Sequence, residues 1–137
     1  MKKTEDGYYT NRHSSFLLQY HLVLITKYRH PVIAGAVEEK VKEYFPEYLK
    51  KQGLEMIAME TMPDHVHILF EAPPQICLST FVNAMKAASS RVIRRRFGEE
   101  LKPYYWKPYF WSESYYIGTA SEASTKVVEE YIKNQKE

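Results

Sequence analysis

The 137-residue sequence predicts one α+β domain, with two helices covering one side of a four-stranded antiparallel sheet. Strand-length apolar runs alternate with stretches of helical spacing in the order strand, helix, strand, strand, helix, strand. Proline, glycine and aspartate punctuate the junctions. The apolar share of 45 % supports one core, and no run is apolar for long enough to span a bilayer.

Residues 1–14 are polar and are expected to be a flexible N-terminus, leaving 15–137 as the single domain. Phe16 to Thr26, rich in Leu, Val, Ile and Tyr, reads as the first strand. Pro31 ends the basic loop after it. Ala36 to Gln52 then has helical spacing, with Val37, Val41, Tyr44, Phe45 and Leu49 near one face. Pro46 is expected to kink or split this helix, and Gly53 suits its C-terminal cap. Leu54–Thr61 and His65–Ala72 read as a hairpin turned by Met62-Pro63-Asp64.

After the break at Pro73-Pro74, Cys77 to Phe97 reads as a long helix striped by Leu78, Phe81, Val82, Met85, Val92 and Ile93, with Gly98 closing it. Lys102–Pro108 is irregular, and Phe110–Ile117 is a fourth strand. Ser121 suits the N-cap of a last helix, with Glu122 in its first turn. The order βαββαβ plus one helix is the ferredoxin-like pattern, which leaves one sheet face open.

A net charge of +2 does not announce a nucleic-acid partner. Its distribution says more, because Lys27-Tyr28-Arg29-His30 and Arg91-Val92-Ile93-Arg94-Arg95-Arg96 concentrate the cations. The 12 tyrosines, several beside basic residues, suit single-stranded nucleic acid, where bases stack on rings while cations neutralise phosphates. The charged N-terminus lacks an apolar follow-on, so no signal peptide is expected. The single cysteine, Cys77, cannot form an internal disulfide, which fits a reducing cytoplasm.

The most informative motif is Pro63-Asp64-His65-Val66-His67 at the start of the third strand. Side chains alternate along a strand, so His65 and His67 point one way while Val66, Ile68 and Phe70 point into the core. Two imidazoles on one face can hold a divalent metal. Asp64 reads as a turn residue, with orientation of His65 as its other role. Tyr131 and Gln135 lie one helical turn apart, roughly 6 Å between Cβ atoms. A last helix lying over the open face would bring Gln135 to the metal and Tyr131 beside a phosphate. A phenol, with an ordinary pKa of about 10, is a poor nucleophile, and a metal polarising the phosphate compensates. The product, a phosphotyrosine, conserves the energy of the phosphodiester, so strands can be rejoined without ATP.

Met62-Pro63-Asp64-His65-Val66-His67-Ile68-Leu69 resembles the His-hydrophobe-His motif of single-tyrosine HUH transposases of the TnpA type, which act on single-stranded DNA in small bacterial and archaeal insertion sequences. Tyr20-His21-Leu22-Val23 with Thr26-Lys27-Tyr28-Arg29 resembles their first strand and basic loop. Ala87-Ala88-Ser89-Ser90-Arg91-Val92-Ile93 resembles a further helix. Trp111 to Gly118, leading to Tyr131-Ile132-Lys133-Asn134-Gln135, resembles the last strand and catalytic helix.

The resemblance implies Tyr131 as nucleophile, with His65, His67 and Gln135 as ligands of Mg²⁺ or Mn²⁺. It implies homodimers in which one subunit's tyrosine helix can serve the partner's histidines, with Gly118 and Thr119 as hinge positions. It also implies recognition of DNA hairpins at element ends. Lys27, Arg29, Arg91, Arg94 and Arg95 are the candidate phosphate contacts. The pair Glu129-Glu130 departs from expectation by placing negative charge before Tyr131. Three other readings stay open: a domesticated relative acting on repeat hairpins, a non-catalytic nucleic-acid-binding module on the same fold, and a plain nickase of the replication-initiator or relaxase branch.

Overall fold

The computed structural model describes residues 1–120 and 124–134, and of the stretch 124–128 the backbone only. Four strands make the main sheet: β4 (Gln19–Thr26), β5 (Glu55–Met62), β6 (His65–Glu71) and β7 (Trp111–Thr119). They pair antiparallel throughout in the spatial order β5-β6-β4-β7, the ferredoxin-like arrangement. Helices α1 (Gly35–Lys51) and α2 (Leu78–Arg96) cover one face. A short α3 (Gly98–Leu101) follows α2, and α4 (Ser124–Asn134) lies on the opposite face against β7 and β4. The expected N-cap Ser121, its neighbour Glu122 and Gln135 lie outside the described residues. Among the described residues no helix is long and apolar enough to cross a membrane.

Alternation along the central strands builds the core. Leu22 and Leu24 of β4 and Val66, Ile68 and Phe70 of β6 are wholly buried against Val41, Phe45 and Leu49 of α1 and Val82, Met85 and Ile93 of α2. Truncating any one of the larger side chains to alanine removes roughly 2–5 kcal/mol, because a close-packed interior relaxes only partly around the void. The neighbouring residues Val23 and Ile25 face the other way and form a second, smaller cluster with Tyr116, Tyr131 and Ile132.

Helix α1 continues through Pro46 as one helix rather than splitting there. Buried Phe45 and Leu49 on either side of the proline hold the helix to the sheet, so packing outweighs the lost hydrogen bond. Its end is a Schellman cap. Gly53, at φ 77°, donates to the Lys50 carbonyl, and Leu54 donates to that of Leu49 while burying its side chain.

The N-terminal residues are not the flexible segment that their polarity suggests. β1 (Lys2–Lys3), β2 (Tyr9–Thr10) and β3 (Ser15–Phe16) form a small three-stranded antiparallel sheet. It is pinned by one buried carboxylate at the far end of β6. Glu71 accepts hydrogen bonds from the Tyr9 hydroxyl at 2.5 Å, Gln19 Nε2 at 2.7 Å and Lys3 Nζ at 3.2 Å. Tyr9 itself is buried and stacks on Phe16, with ring centroids 5.6 Å apart. A polar sequence therefore hid an ordered element, because its anchor is a tertiary contact 62 residues away.

Burial alone would raise the Glu71 pKa, but the hydrogen bonds from Tyr9, Gln19 and Lys3 outweigh it and hold the carboxyl below its ordinary 4.5. Its folded form therefore binds fewer protons than the unfolded chain. The resulting stability is present above pH 4.5 and is lost as acid titrates the folded carboxylate. Glu71→Gln is expected to cost about 1–3 kcal/mol near neutrality. In thermal unfolding, the gap between wild type and variant should close as pH falls below that range. A gap independent of pH would show that the charge of Glu71 contributes nothing.

Candidate active site on the open sheet face

The β4–β6 register decides which side chains share the open face. His65 lies opposite Ile25, His67 opposite Val23, and Leu69 opposite His21. On the far side of β4, Tyr116 lies opposite Val23 and Gly118 opposite His21. The two histidines therefore stand on the face that carries α4, half-buried, while Val66 between them is in the core. Along the strand they are about 7 Å apart.

His65 is held from behind. Its Nδ1 lies 2.8 Å from Asp64 Oδ1, so the carboxylate holds the hydrogen on Nδ1 and turns Nε2 away from Asp64. Asp64 is in turn clamped by Arg29, whose Nε and Nη2 donate to Oδ2 at 3.1 and 3.0 Å. Burial pushes the Asp64 pKa up, but the hydrogen bonds from His65 and Arg29 outweigh it and keep the carboxyl below its usual range. Asp64 is thus more than a turn residue, because it fixes the tautomer and the aim of His65. Arg29, expected on a phosphate, is a structural partner of this carboxylate.

The clamp needs an unusual backbone. Tyr28 and Arg29, inside the 3-10 turn Lys27–Arg29, have φ of 60° and 55°. Left-handed geometry costs an L-residue roughly 1–2 kcal/mol. The turn is secured at its first residue: Lys27 N–H donates to the Phe110 carbonyl at 2.8 Å, and the Lys27 carbonyl accepts from the Tyr105 hydroxyl at 2.7 Å. Strain of this kind, held by the surrounding fold, is characteristic of functional turns.

His67 has a different neighbour. Its Nε2 lies 2.8 Å from Nδ1 of His21, with ring centroids 4.9 Å apart. Burial first, and the neighbouring His21 second, lower the pKa of His67, keeping it neutral as a metal ligand must be. It borders a cleft of about 240 Å³ that His21, Glu60 and Leu69 also line. An ion bound at Nε2 would replace the bond to His21, and Nδ1 is the alternative donor. Among the described residues no three His, Cys, Asp or Glu side chains gather round one point. The predicted ligand Gln135 lies outside the described residues.

Tyr131 rests on the same face over β7. Its hydroxyl lies 3.1 Å from Ser114 Oγ, and its ring packs on Tyr116 with centroids 5.6 Å apart. β7 is separated from β6 by β4, so the phenol's partner strand is roughly 10 Å from the histidine strand. Among the described residues no hydrogen bond joins Tyr131 to either histidine. Gly118 and Thr119, expected as hinge positions, lie in β7 and pair with His21 and Tyr20 of β4. Gly118 serves a steric purpose: a Cβ there would meet the Tyr116 ring, with Cζ 3.0 Å away. Glu129 and Glu130 are exposed and line a cleft of about 460 Å³ with Arg29 and Lys133, which offset their charge.

The remaining candidate cations divide. Lys27 is buried, its Nζ 5.2 and 5.1 Å from the Tyr28 and Tyr109 ring centroids. Arg91 and Arg95 line a cleft with Lys40 on the helical side, across the sheet from the histidines. Arg94 faces the 98–109 segment and donates to Ser90 Oγ at 3.0 Å. His21, Ser114 and Tyr116 had no assigned role in the sequence. The antiparallel pairing of first and third strands was the signal that could have found His21, since it places that residue one cross-strand step from the His-x-His face.

Comparison with known proteins agrees with this geometry. Residues 14–135 match the family model described as "Transposase IS200 like". The chain is 39% identical over 120 residues to the ISDra2 transposase TnpA of Deinococcus radiodurans, covering 88% of this chain and 85% of that protein. It is 30% identical over 125 residues to the Salmonella typhimurium transposase of insertion sequence element IS200, covering 91% and 81%. A crystal structure of a Deinococcus radiodurans transposase superposes with a TM-score of 0.85 at 37% identity, over 93% of this chain and 97% of that one. A REP-associated tyrosine transposase bound to a REP hairpin shares the fold, with a TM-score of 0.54 at 10% identity over 88% and 67%. With one sheet face carrying the histidine pair and the tyrosine helix, and with nearly its whole length matched, the chain belongs to the IS200-like transposase family.

Proposed function

We propose that this transposase cleaves and rejoins single-stranded DNA at hairpin-marked ends through a 5′-phosphotyrosine, acting as a homodimer in the cytoplasm. The observation that carries the reading is the shared sheet face: α4 brings a tyrosine to the side of the sheet where Asp64 orients His65 and burial lowers the pKa of His67. The Tyr131 oxygen attacks phosphorus and gives up its proton. The bond from phosphorus to the 3′ oxygen breaks, and that oxygen takes up a proton and leaves as a free hydroxyl. Rejoining is the reverse attack by a 3′ hydroxyl on the tyrosyl phosphate. His65 and His67, with Gln135 as the implied third ligand, would hold Mg²⁺ or Mn²⁺, which supplies positive charge to the phosphoryl oxygens. Arg29 and Asp64 keep His65 aimed.

With its own Tyr131 lodged on Ser114, the histidine pair is best served by the helix of the partner subunit. Tyr131→Phe and His67→Ala proteins, each inactive alone, should therefore regain nicking when mixed, because one composite site in each mixed dimer is intact. No recovery after subunit exchange would place the phenol within its own chain.

The direct test incubates the protein with hairpin-bearing single-stranded DNA and Mn²⁺, then seeks a covalent complex on a denaturing gel. Wild type should give the adduct and Tyr131→Phe none. An adduct that survives in Tyr131→Phe refutes the nucleophile, and binding without any nicking by wild type points to a non-catalytic binding module.

Asp64→Asn should raise the Mn²⁺ concentration for half-maximal nicking about 10–100-fold, since the carboxylate behind His65 is weakened to an amide. An unchanged requirement would separate Asp64 from the site. Because His67 is held below its ordinary 6.5, Mn²⁺ binding by isothermal titration should persist at that pH and fall only in more acidic solution.

A further inference from the structure

On the other side of the strained turn from Asp64 lies a surface with no part in the site above. Tyr28, Tyr104 and Trp106 are 45, 38 and 80% exposed, and an indole so open to water is unusual in a folded chain. Tyr28 and Tyr104 belong to one aromatic field, and Trp106 follows Tyr104-Tyr105 in the chain. Tyr28 sits edge-on to Tyr109 at 5.9 Å, and His30 lies 5.4 Å from Tyr104 and 5.8 Å from Tyr28. Cations are threaded through it. Lys27 Nζ stands over Tyr28 and Tyr109, and Lys107 Nζ is 4.7 Å from the Trp106 ring centroid. Beside it runs a cleft of about 210 Å³ whose charged lining residues are Arg94, Lys102 and Lys107, with no carboxylate among them. Glu99 and Glu100, on neighbouring α3, are not part of that lining.

We propose that this surface is a stacking subsite for unpaired bases of the DNA strand, with Trp106 and Tyr104 as ring platforms and Lys102, Lys107 and Arg94 neutralising phosphates. The inference rests on the reading of single-stranded DNA as substrate. Exposed ring faces can be used only by bases that are out of a duplex stack, whereas lysines alone would serve paired and unpaired DNA equally. A second copy of this chain meeting the patch through a two-fold axis would set its cations against themselves. The platform is pre-organised, because Tyr105 and Phe110 fix the turn that carries Tyr28. The same turn sends Arg29 the other way, to Asp64. A strand lying on the patch is therefore adjacent to the residues that aim His65.

The test is binding of an unstructured 12-nucleotide single strand and of the matching duplex, in a Tyr131→Phe background so that no covalent step contributes. The chain has two tryptophans, and Trp111 is buried, so a change in intrinsic fluorescence on adding DNA is assigned to Trp106 and should vanish in Trp106→Phe. The single strand should quench it and the duplex should not. Trp106→Ala should weaken single-strand binding about tenfold with little change in its salt dependence, while Trp106→Phe retains most of the affinity. Lys107→Gln should instead reduce the slope of log affinity against log salt by about 0.7. Unchanged affinity in Trp106→Ala, or equal quenching by the duplex, overturns the proposal. So does loss of dimer on sedimentation with DNA affinity intact, which would make the patch a protein interface. Adduct formation by wild type is scored separately, so failure of the stacking subsite and failure of the cleavage reading are distinguishable.

Discussion

Everything in the site depends on the antiparallel register between β4 and β6. That ladder sets Val23 against His67 and Ile25 against His65, so a slip of one residue would bury the imidazoles and expose Val66 and Ile68. The hydrophobic cost of such a slip is large, since Leu22, Leu24, Val66, Ile68 and Phe70 are all wholly buried in one cluster. Core packing and the placement of the site are therefore one constraint. The helices secure the chemistry by holding the face on which it does not occur.

The open face is divided along its length. At one end Glu71 ties down the N-terminal sheet through Tyr9, Gln19 and Lys3. At the other end α4 covers Val23 and Ile25 of β4 with Tyr131 and Ile132. Level with them on β6, the histidine pair has polar partners, Asp64 behind His65 and His21 beside His67. The turn Lys27–Arg29 links this end to the basic, aromatic surface beyond it, and two left-handed residues are what allow adjacent side chains to face the two regions.

Much of this was legible in the chain itself. The βαββαβ order, the two core-facing helices, the hairpin through Pro63-Asp64 and the shared face of His65 and His67 all follow from residue spacing, because periods of 2 and 3.6 are local properties. So did the lodging of the last helix on the open face, since it was the one element without a partner. Residues 1–14 misled, because their polarity gives no sign of an anchor as distant as Glu71. Pro46 does not split its helix, because the proline's penalty is local while the packing that keeps the helix whole is tertiary.

Sequence alone thus determined the elements, their faces and the residue types able to do phosphoryl chemistry. Tertiary structure decided which of those residues meet. It paired Arg29 with Asp64, put His21 against His67, and lodged Tyr131 on Ser114 of β7. The physical reason is range. Periodicity fixes a side chain's direction within its own element, but hydrogen-bond partners across 17, 35 and 46 positions of sequence are set by strand order and turn geometry, which no local pattern encodes.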